Sequence, residues 1–247
     1  MHALLAAAIL AVTAVQADTT YLYRTHFIRA APGEILELVD VFQERMDFFD
    51  AAGEPAPFMM RHAQGDHWDL QIMYPMGSFV DYYSPARVER RETAAAASGV
   101  TEEQFRRSVR ALTSWQEELY VLGPPLETMT ETMHSGGYFH TEIMIALPGK
   151  QDELFQEREM ENVYQRLTGR PERMIFTRVS GAPWDNFTLG IFRDLQHFAA
   201  PSGMTAEQTE AAAREAGFES SAKVGVYMRS LILRHQDTHG GIVTRRR

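Results

Sequence analysis

The sequence of 247 residues contains no cysteine. Disulfide bonds and thiolate-ligated metal sites are therefore excluded, and the fold has to be stabilised by packing. Basic residues are outnumbered by acidic ones, and the resulting net charge of −9 argues against nucleic acid as a general partner. Phosphate loops, dinucleotide fingerprints, nucleophile elbows and H-E-x-x-H pairs are also absent, so enzymes built on those motifs are not expected.

The first seventeen residues carry no Lys, Arg, Asp or Glu and form an apolar run that ends in Val15-Gln16-Ala17. Because a small-residue ending is typical of signal-peptidase cleavage, we expect a signal peptide over residues 1–17 and export to the periplasm or the medium. An N-terminal helix that is buried or anchors the chain is the alternative, although the run is short for a bilayer span of ~20 residues. No transmembrane segment is expected after signal removal.

The chain repeats itself at a spacing of 116 residues. The stretch G-D-H-W-D-L, which begins at Gly65, returns as G-A-P-W-D-N beginning at Gly181. Between Phe27 and Asp69 ten residues are identical to those 116 places later, without a gap. Ordinary residue usage would produce only about two or three. The pattern indicates an internal duplication, with a first unit at 18–135 and a second at 136–247.

A second spacing, of 104 residues, relates S-G-V-T-E-E-Q at Ser98 to S-G-M-T-A-E-Q at Ser202. Both stretches contain a capping box of the type S/T-x-x-E/Q, which predicts the start of a helix in each unit. The change of spacing places extra residues in the first unit. The charged, alanine-rich stretch at about 84–97 is the expected insertion, as a surface helix or loop.

Each unit has the pattern strand, helix, strand, strand, helix, strand. The first strand is expected over 21–29, and the final strands at about 126–133 and 224–235. In the third strands, which open at Trp68 and Trp184, the apolar residues of the two units stand in opposite registers, so we expect a one-residue slip or bulge there. The recurring Trp-Asp pair is interpreted as architecture, because it follows a hairpin loop whose amides the aspartate can bond.

The chain contains a duplicated βαββαβ unit, and its first copy carries the pattern Y-x-Y-R-T-x-x-x-x-x-A-P-G from Tyr21 into the first helix. This combination resembles the dimeric α/β-barrel superfamily, and most closely its NIPSNAP-like members. The resemblance implies an α+β fold class, with two tandem ferredoxin-like βαββαβ units packed sheet to sheet as a pseudo-dimeric barrel. Monooxygenases of that superfamily usually carry an asparagine on the first strand, where this chain has His26 and Glu142. The resemblance therefore implies a ligand pocket without implying a reaction.

Titratable side chains alternate along the predicted strands and share one face of each. The candidate ligand-binding residues are Arg24, His26, Glu131, His140, Glu142 and His235. We expect them to gather about the axis between the units, because the first and last strands of a ferredoxin-like sheet lie near each other. Imidazoles with carboxylates can bind a metal or act as acid and base. Paired polar groups lining the contact between the sheets are the alternative.

Three functions are compatible with these features. The leading hypothesis is an exported small-molecule-binding protein without a recognisable catalytic set. The second is a monooxygenase-like or other oxidoreductase with a pocket in one unit, because titratable residues differ between the units. The third is a periplasmic interaction protein that uses the insertion as its contact surface. The identity of any haem or metal cofactor and assembly into a homo-oligomer are left open.

Overall fold

The computed structural model describes residues 20–246, so the predicted signal peptide lies outside the described residues. Within this range the strands close into one antiparallel barrel, in the order β1-β3-β2-β8-β5-β7-β6-β4. The strands are β1 (Tyr21–Ala30), β2 (Phe58–Gln64), β3 (Leu70–Gly77), β4 (Thr113–Gly123), β5 (Tyr138–Ala146), β6 (Met174–Gly181), β7 (Asn186–Phe192) and β8 (Ile232–Ile242). Each half contributes four strands in the same order, and the sheets join at β2–β8 and β4–β6.

The helices of the described range pack mainly against the outer faces of these sheets. They are α1 (Ile35–Glu44), α2 (Met46–Ala52), α3 (Phe79–Tyr82), α4 (Pro85–Ser98), α5 (Glu102–Ala111), α6 (Leu126–His134), α7 (Gln151–Leu167), α8 (Leu195–Ala199), α9 (Ala206–Glu215) and α10 (Val224–Leu231). Both predicted capping boxes form, at Thr101 and Thr205. None of these helices is both long enough and apolar enough to cross a membrane. The α+β fold class predicted from the sequence is confirmed.

The barrel interior is a packed aromatic core. Phe27 of β1 stands between the two repeated tryptophans, with ring centroids 5.2 Å from Trp68 and 4.4 Å from Trp184. Both tryptophans are buried, and Phe27 belongs to one half while Trp184 belongs to the other. Such edge-on pairs stabilise a core beyond the area they bury. The two halves therefore share one interior.

The aspartates of the repeated pair make the same hydrogen bond in each half. The Ala30 amide donates to Asp69 Oδ2 at 2.8 Å, and the Ala146 amide donates to Asp185 Oδ2 at 2.9 Å. Each bond ties the loop before the third strand to the end of the first strand of the same half. The Trp-Asp repeat thus contributes a core side chain and a backbone acceptor, although the acceptor binds the end of the first strand and not the hairpin-loop amides that were expected.

The predicted slip or bulge is found only at the end of the third strand of the first half, where Leu22 pairs with Gly77 and Tyr23 with Pro75. It does not explain the apolar pattern, because His26 pairs with Ile72 and Glu142 pairs with Thr188, so the spacing of 116 holds in that part of both strands. In β3 Ile72 faces the helices while Met73 faces the barrel, and both are fully buried. Because both faces of this strand are covered, apolar residues occur on both, and their pattern does not identify the inner face.

The predicted final strands are also wrong. Residues 126–134 form α6, whose buried Met129 and Met133 stand four residues apart as a helix requires. The last strand of the first half is β4, and in the second half the strand begins only at Ile232, after α10. Thr113 pairs with Ala30 and Ile232 pairs with Ala146, so the two last strands are related by a spacing of 119, not 104.

The predicted insertion is the helix α4. It packs on α2, where Ala94 and Ala95 contact Phe48 and Ala52. Its Arg87 is buried and makes an ion pair with Glu54 at 2.5 Å. The charged, alanine-rich composition therefore produced a helix with one face anchored to the domain.

Candidate functional site

The structure separates the candidate residues into two groups, so the prediction of a single cluster is wrong. Arg24 and His26 lie on the outer face of β1, whereas His140 and Glu142 lie on the outer face of β5, next to His235 on β8. Strands β1 and β5 are four strands apart in either direction around the barrel. The sheets meet through their apolar inner faces, so outward-pointing groups of β1 and β5 lie on opposite sides of the molecule.

Glu131 belongs to neither group. It is exposed on α6, because the segment assigned to a final strand is a helix. Its expected equivalence to His235 fails for the same reason, since His235 lies on β8 and the matching strand of the first half is β4. The structure gives Glu131 no contact with the other candidates.

A cavity of about 490 Å³ lies between the outer face of the first sheet and the helices α2, α4 and α5. Its aromatic walls are Phe48, Phe49, Tyr74, Tyr82, Tyr83 and Phe105. Its charged lining residues are Arg24, Arg45, Glu54, Arg91, Glu92 and Glu102. A size of this order with mostly apolar walls and a few polar groups is typical of a small-molecule site.

Most charges of this cavity are already paired. Glu54 contacts Arg87 at 2.5 Å and Arg91 at 3.2 Å. Arg45 contacts Glu102 at 2.9 Å. These pairs hold α2, α4 and α5 together around the opening, because each joins two different segments. No local pattern predicts these pairs, since the partners are far apart along the chain.

Arg24 is paired less well. Its guanidinium stacks over the Tyr74 ring at 4.4 Å, and its Nε lies 3.8 Å from a carboxylate oxygen of Glu118. That Nε is buried and has no hydrogen-bond partner within the described chain. Burial raises the pKa of Tyr74, so its phenol stays neutral. The cavity thus offers a cationic donor beside a neutral aromatic wall.

His26 lies in an adjoining cavity of about 310 Å³, which shares Arg24 and Tyr74 with the first. Its Nε2 is 3.1 Å from Gln116 Oε1. Burial lowers the pKa of His26 to about 4, against the opposing effect of its hydrogen bond to Gln116. The imidazole is therefore neutral at pH 7.

The second group forms where β5 and β8 run side by side. His140 stands opposite His239, and Glu142 stands opposite Asp237, so all four side chains share the outer face. His140 Nε2 is 2.9 Å from Asp237 Oδ1. His235 lies 3.4 Å from Glu142 through Nε2 and 3.4 Å from Asp237 through Nδ1.

Buried Arg158 of α7 lies beneath this group. Its guanidinium is 3.7 Å from Glu142 and makes closer ion pairs with Glu157 and Glu161. Burial would raise the pKa of Glu142, but the contacts with His235 and Arg158 outweigh it and lower the pKa to about 2. The contact with Glu142 raises the pKa of His235. Glu142 is therefore ionised at every ordinary pH.

Sequence reasoning missed Asp237 and Arg158. The signal for Asp237 was available as H-Q-D-T-H at 235–239, which places every second residue on one face of a strand. Ending the predicted strand at 235 concealed it. Arg158 had no local signal, because it stands 116 residues after Phe42, an apolar residue of the first half.

No protein-family model matches the chain, and no curated protein does. Among solved structures, an anthrone oxidase-like protein aligns with a TM-score of 0.56 and 11% identity, covering 93% of both chains. A "putative monooxygenase" from Fusobacterium nucleatum subsp. nucleatum aligns with a TM-score of 0.52 and 11% identity, covering 92% of this chain and 93% of that one. At such identities the likeness concerns the fold alone. With its closed barrel of two four-stranded halves, the chain has the dimeric α/β-barrel fold.

Proposed function

We propose that the protein binds a small, largely aromatic molecule that carries an anionic or hydrogen-bond-accepting group, in the cavity of the first half. The observation that carries this proposal is a cavity of about 490 Å³ with aromatic walls, lined by Arg24, whose side chain is 28% exposed and whose contact with Glu118 is long, at 3.8 Å. An apolar ligand body would pack against rings such as Tyr74 and Phe105, while its polar group would accept a hydrogen bond from Arg24.

The difference between the halves supports this choice of site. Helix α4 covers the cavity with Val88, Arg91 and Ala95. Between the third strand and the capping box of the second half stands only the short helix α8. If the cavity binds the ligand, the insertion serves as a wall of the cavity. This role weighs against the hypothesis that the insertion is a partner-binding surface.

An oxidoreductase that acts in the same region is the second candidate. It is favoured by His26, whose neutral imidazole can accept a proton from a molecule bound near Arg24. Turnover of a phenolic compound, lost in His26→Asn and kept in Arg214→Ala, would support it. Binding without turnover would agree with the ligand-binding proposal and would contradict the oxidoreductase candidate.

The test of binding uses 1-anilinonaphthalene-8-sulfonate, an aromatic anion whose fluorescence rises on apolar burial. Ala96→Trp should fill the cavity and weaken binding, whereas Thr93→Trp, on an exposed position of the same helix, should leave it unchanged. Arg24→Ala should weaken binding by about tenfold, which corresponds to ~1.4 kcal/mol. Equal binding by the wild type, Ala96→Trp and Arg24→Ala would contradict the proposal.

We further propose that the protein is exported and that its halves arose by tandem duplication. Export rests on the apolar run at 1–17, and the mass of the mature protein purified from its native cell tests it. Duplication is supported by the ten identities and by the matching bonds of Asp69 and Asp185. The NIPSNAP-like relationship and a homo-oligomeric state stay predictions.

A further inference from the structure

The outer face of the second half carries a group of metal-ligating side chains that the cavity does not use. His140, Glu142 and Asp237 each offer a ligand atom, and these atoms all lie within 4.8 Å of one another. Ligand atoms around one ion with bonds of ~2 Å are roughly 3–4 Å apart. Small rotations of the side chains would therefore bring the three atoms onto one ion.

The three residues differ in exposure. The side chains of His140 and Glu142 are 9% and 13% exposed, so packing holds them. Asp237 is 47% exposed, and its carboxylate already contacts His140 at 2.9 Å and His235 at 3.4 Å. Two buried ligands and one half-exposed ligand on neighbouring strands give a preformed site with an open side toward solvent.

The imidazoles of this group are only partly satisfied by the protein. His140 Nδ1 is buried and has no hydrogen-bond partner in the described chain, and His235 Nε2 has only a long contact of 3.4 Å with Glu142 Oε1. A buried nitrogen without a partner costs free energy, so its presence calls for a physical explanation. An ion near Glu142 and Asp237 supplies one for His235, whose ring lies 3.4 Å from both carboxylates.

The charges also favour a cation. Arg158 is the nearest fixed positive charge to Glu142, but Glu157 and Glu161 are closer to it than Glu142 is. Arg158 is therefore shared among three carboxylates, and no other arginine or lysine of the described chain pairs with Glu142 or Asp237. Thr188 donates a hydrogen bond to Glu142 Oε2 at 3.1 Å and leaves Oε1 facing His235. Such outer contacts orient a metal-binding carboxylate.

We propose that His140, Glu142 and Asp237 bind a divalent first-row transition metal ion, with His235 placed beside both carboxylates as a further ligand. Imidazole and carboxylate donors without thiolate are typical of zinc, iron and related ions. The site lies on the opposite side of the barrel from the proposed ligand cavity, so neither proposal depends on the other.

The test is titration of the full-length, chelator-treated protein with Zn²⁺ alone, followed by calorimetry. We expect one tight site in the wild type and a loss of affinity of at least about tenfold in Asp237→Asn. Because Asp237 is half exposed and asparagine has the same shape, this variant should fold normally. Two matched controls, His134→Ala and Glu131→Gln, change exposed residues of α6 and should bind as the wild type does.

A second measurement, of thermal unfolding, tests the buried ligand His140. His140→Ala should abolish the rise in thermal unfolding temperature that Zn²⁺ produces in the wild type. The proposal is overturned if wild type and Asp237→Asn bind Zn²⁺ equally, or if the controls lose as much affinity as the site variants. Absence of a Zn²⁺-dependent rise in the wild type would overturn it as well.

Discussion

His26 and Glu142 occupy the same position on the first strand of each half, yet they point outward on opposite sides of the barrel. Their surroundings differ accordingly. His26 adjoins an aromatic cavity, whereas Glu142 lies over a buried arginine. The same backbone arrangement therefore carries two unrelated outer faces, and each can be altered without the other.

Acid should destabilise the protein through His26. Its pKa of about 4 is below the ordinary 6.5, so the unfolded chain takes up the proton first as the pH falls. The stabilisation by the neutral ring is complete above about pH 6.5 and is lost as the pH falls through about 4. His26→Asn should therefore lose less unfolding free energy in urea between about pH 7 and 4 than the wild type. His134→Asn is the control, and equal losses in all three proteins would contradict the prediction.

A rise in pH from about 4.5 to about 7 should destabilise the protein through Glu157. Burial raises the pKa of this carboxyl to about 7, above its ordinary 4.5. Its protonated form stabilises the fold below about pH 4.5, and that contribution is lost as the pH rises through about 7. Glu157→Gln should unfold at a higher denaturant concentration than the wild type at about pH 8, with a smaller difference at about pH 5. Glu159→Gln, an exposed change on the same helix, should show no such trend.

The ion pair between Arg87 and Glu54 should be a strong attachment of α4. Removing one partner of a buried pair costs about 3–5 kcal/mol, and the remaining contact of Glu54 with Arg91 at 3.2 Å places the loss of Arg87 at the lower end of that range. Arg87→Ala should show this loss in denaturant unfolding. The control Arg90→Ala changes an exposed residue of the same helix and should cost less than about 1 kcal/mol. A double-mutant cycle with Glu54→Ala measures the coupling, and a coupling near zero would count against the attachment.

Gly65 should tolerate no side chain. Its φ of +129° is strained for other residues, and an added Cβ would overlap the carbonyl oxygen of Asp237 on the neighbouring strand of the other half. Gly65→Ala should cost ~3 kcal/mol or more, at the upper end of single substitutions. Gly33→Ala, at a φ of +90° with open space around it, should cost only about 1–2 kcal/mol. Comparable losses in thermal unfolding would refute the steric argument.

The isolated first half, residues 18–135, should not fold as a stable monomer. Strands β2 and β4 would lose their partners β8 and β6, and Phe27 would lose its contact with Trp184. Exposed strand edges and an open core favour association. Sedimentation analysis with denaturant unfolding should find a dimer or an unfolded chain. A stably folded monomer would show that the shared interior is dispensable.

Much of the fold was accessible from local patterns. The spacing of 116, the capping boxes at Thr101 and Thr205, and the turn at Gly65 follow rules that act over a few residues. Those rules hold wherever the segment lies in space. The two-unit architecture could therefore be expected from the sequence, whereas the packing of the two sheets into a barrel was implied only by the resemblance to the dimeric α/β-barrel superfamily.

The candidate site was less accessible, because its parts are joined by contacts across the chain. The pairing of Arg24 with Tyr74 and of His140 with Asp237 depends on strand register. An error in locating the final strands was enough to include Glu131 and to omit Asp237.

The sequence by itself determined the repeat, the alternation of strands and helices and the α+β class, because periodicity and turn chemistry are local properties. Only the tertiary structure decided which strand faces look inward and where the outward groups lie. Since β3 is buried on both sides, hydrophobicity could not distinguish the barrel interior from the helix-covered face. Closing the barrel placed His26 and Glu142 on opposite sides, so the candidate residues form two separate groups where one was expected.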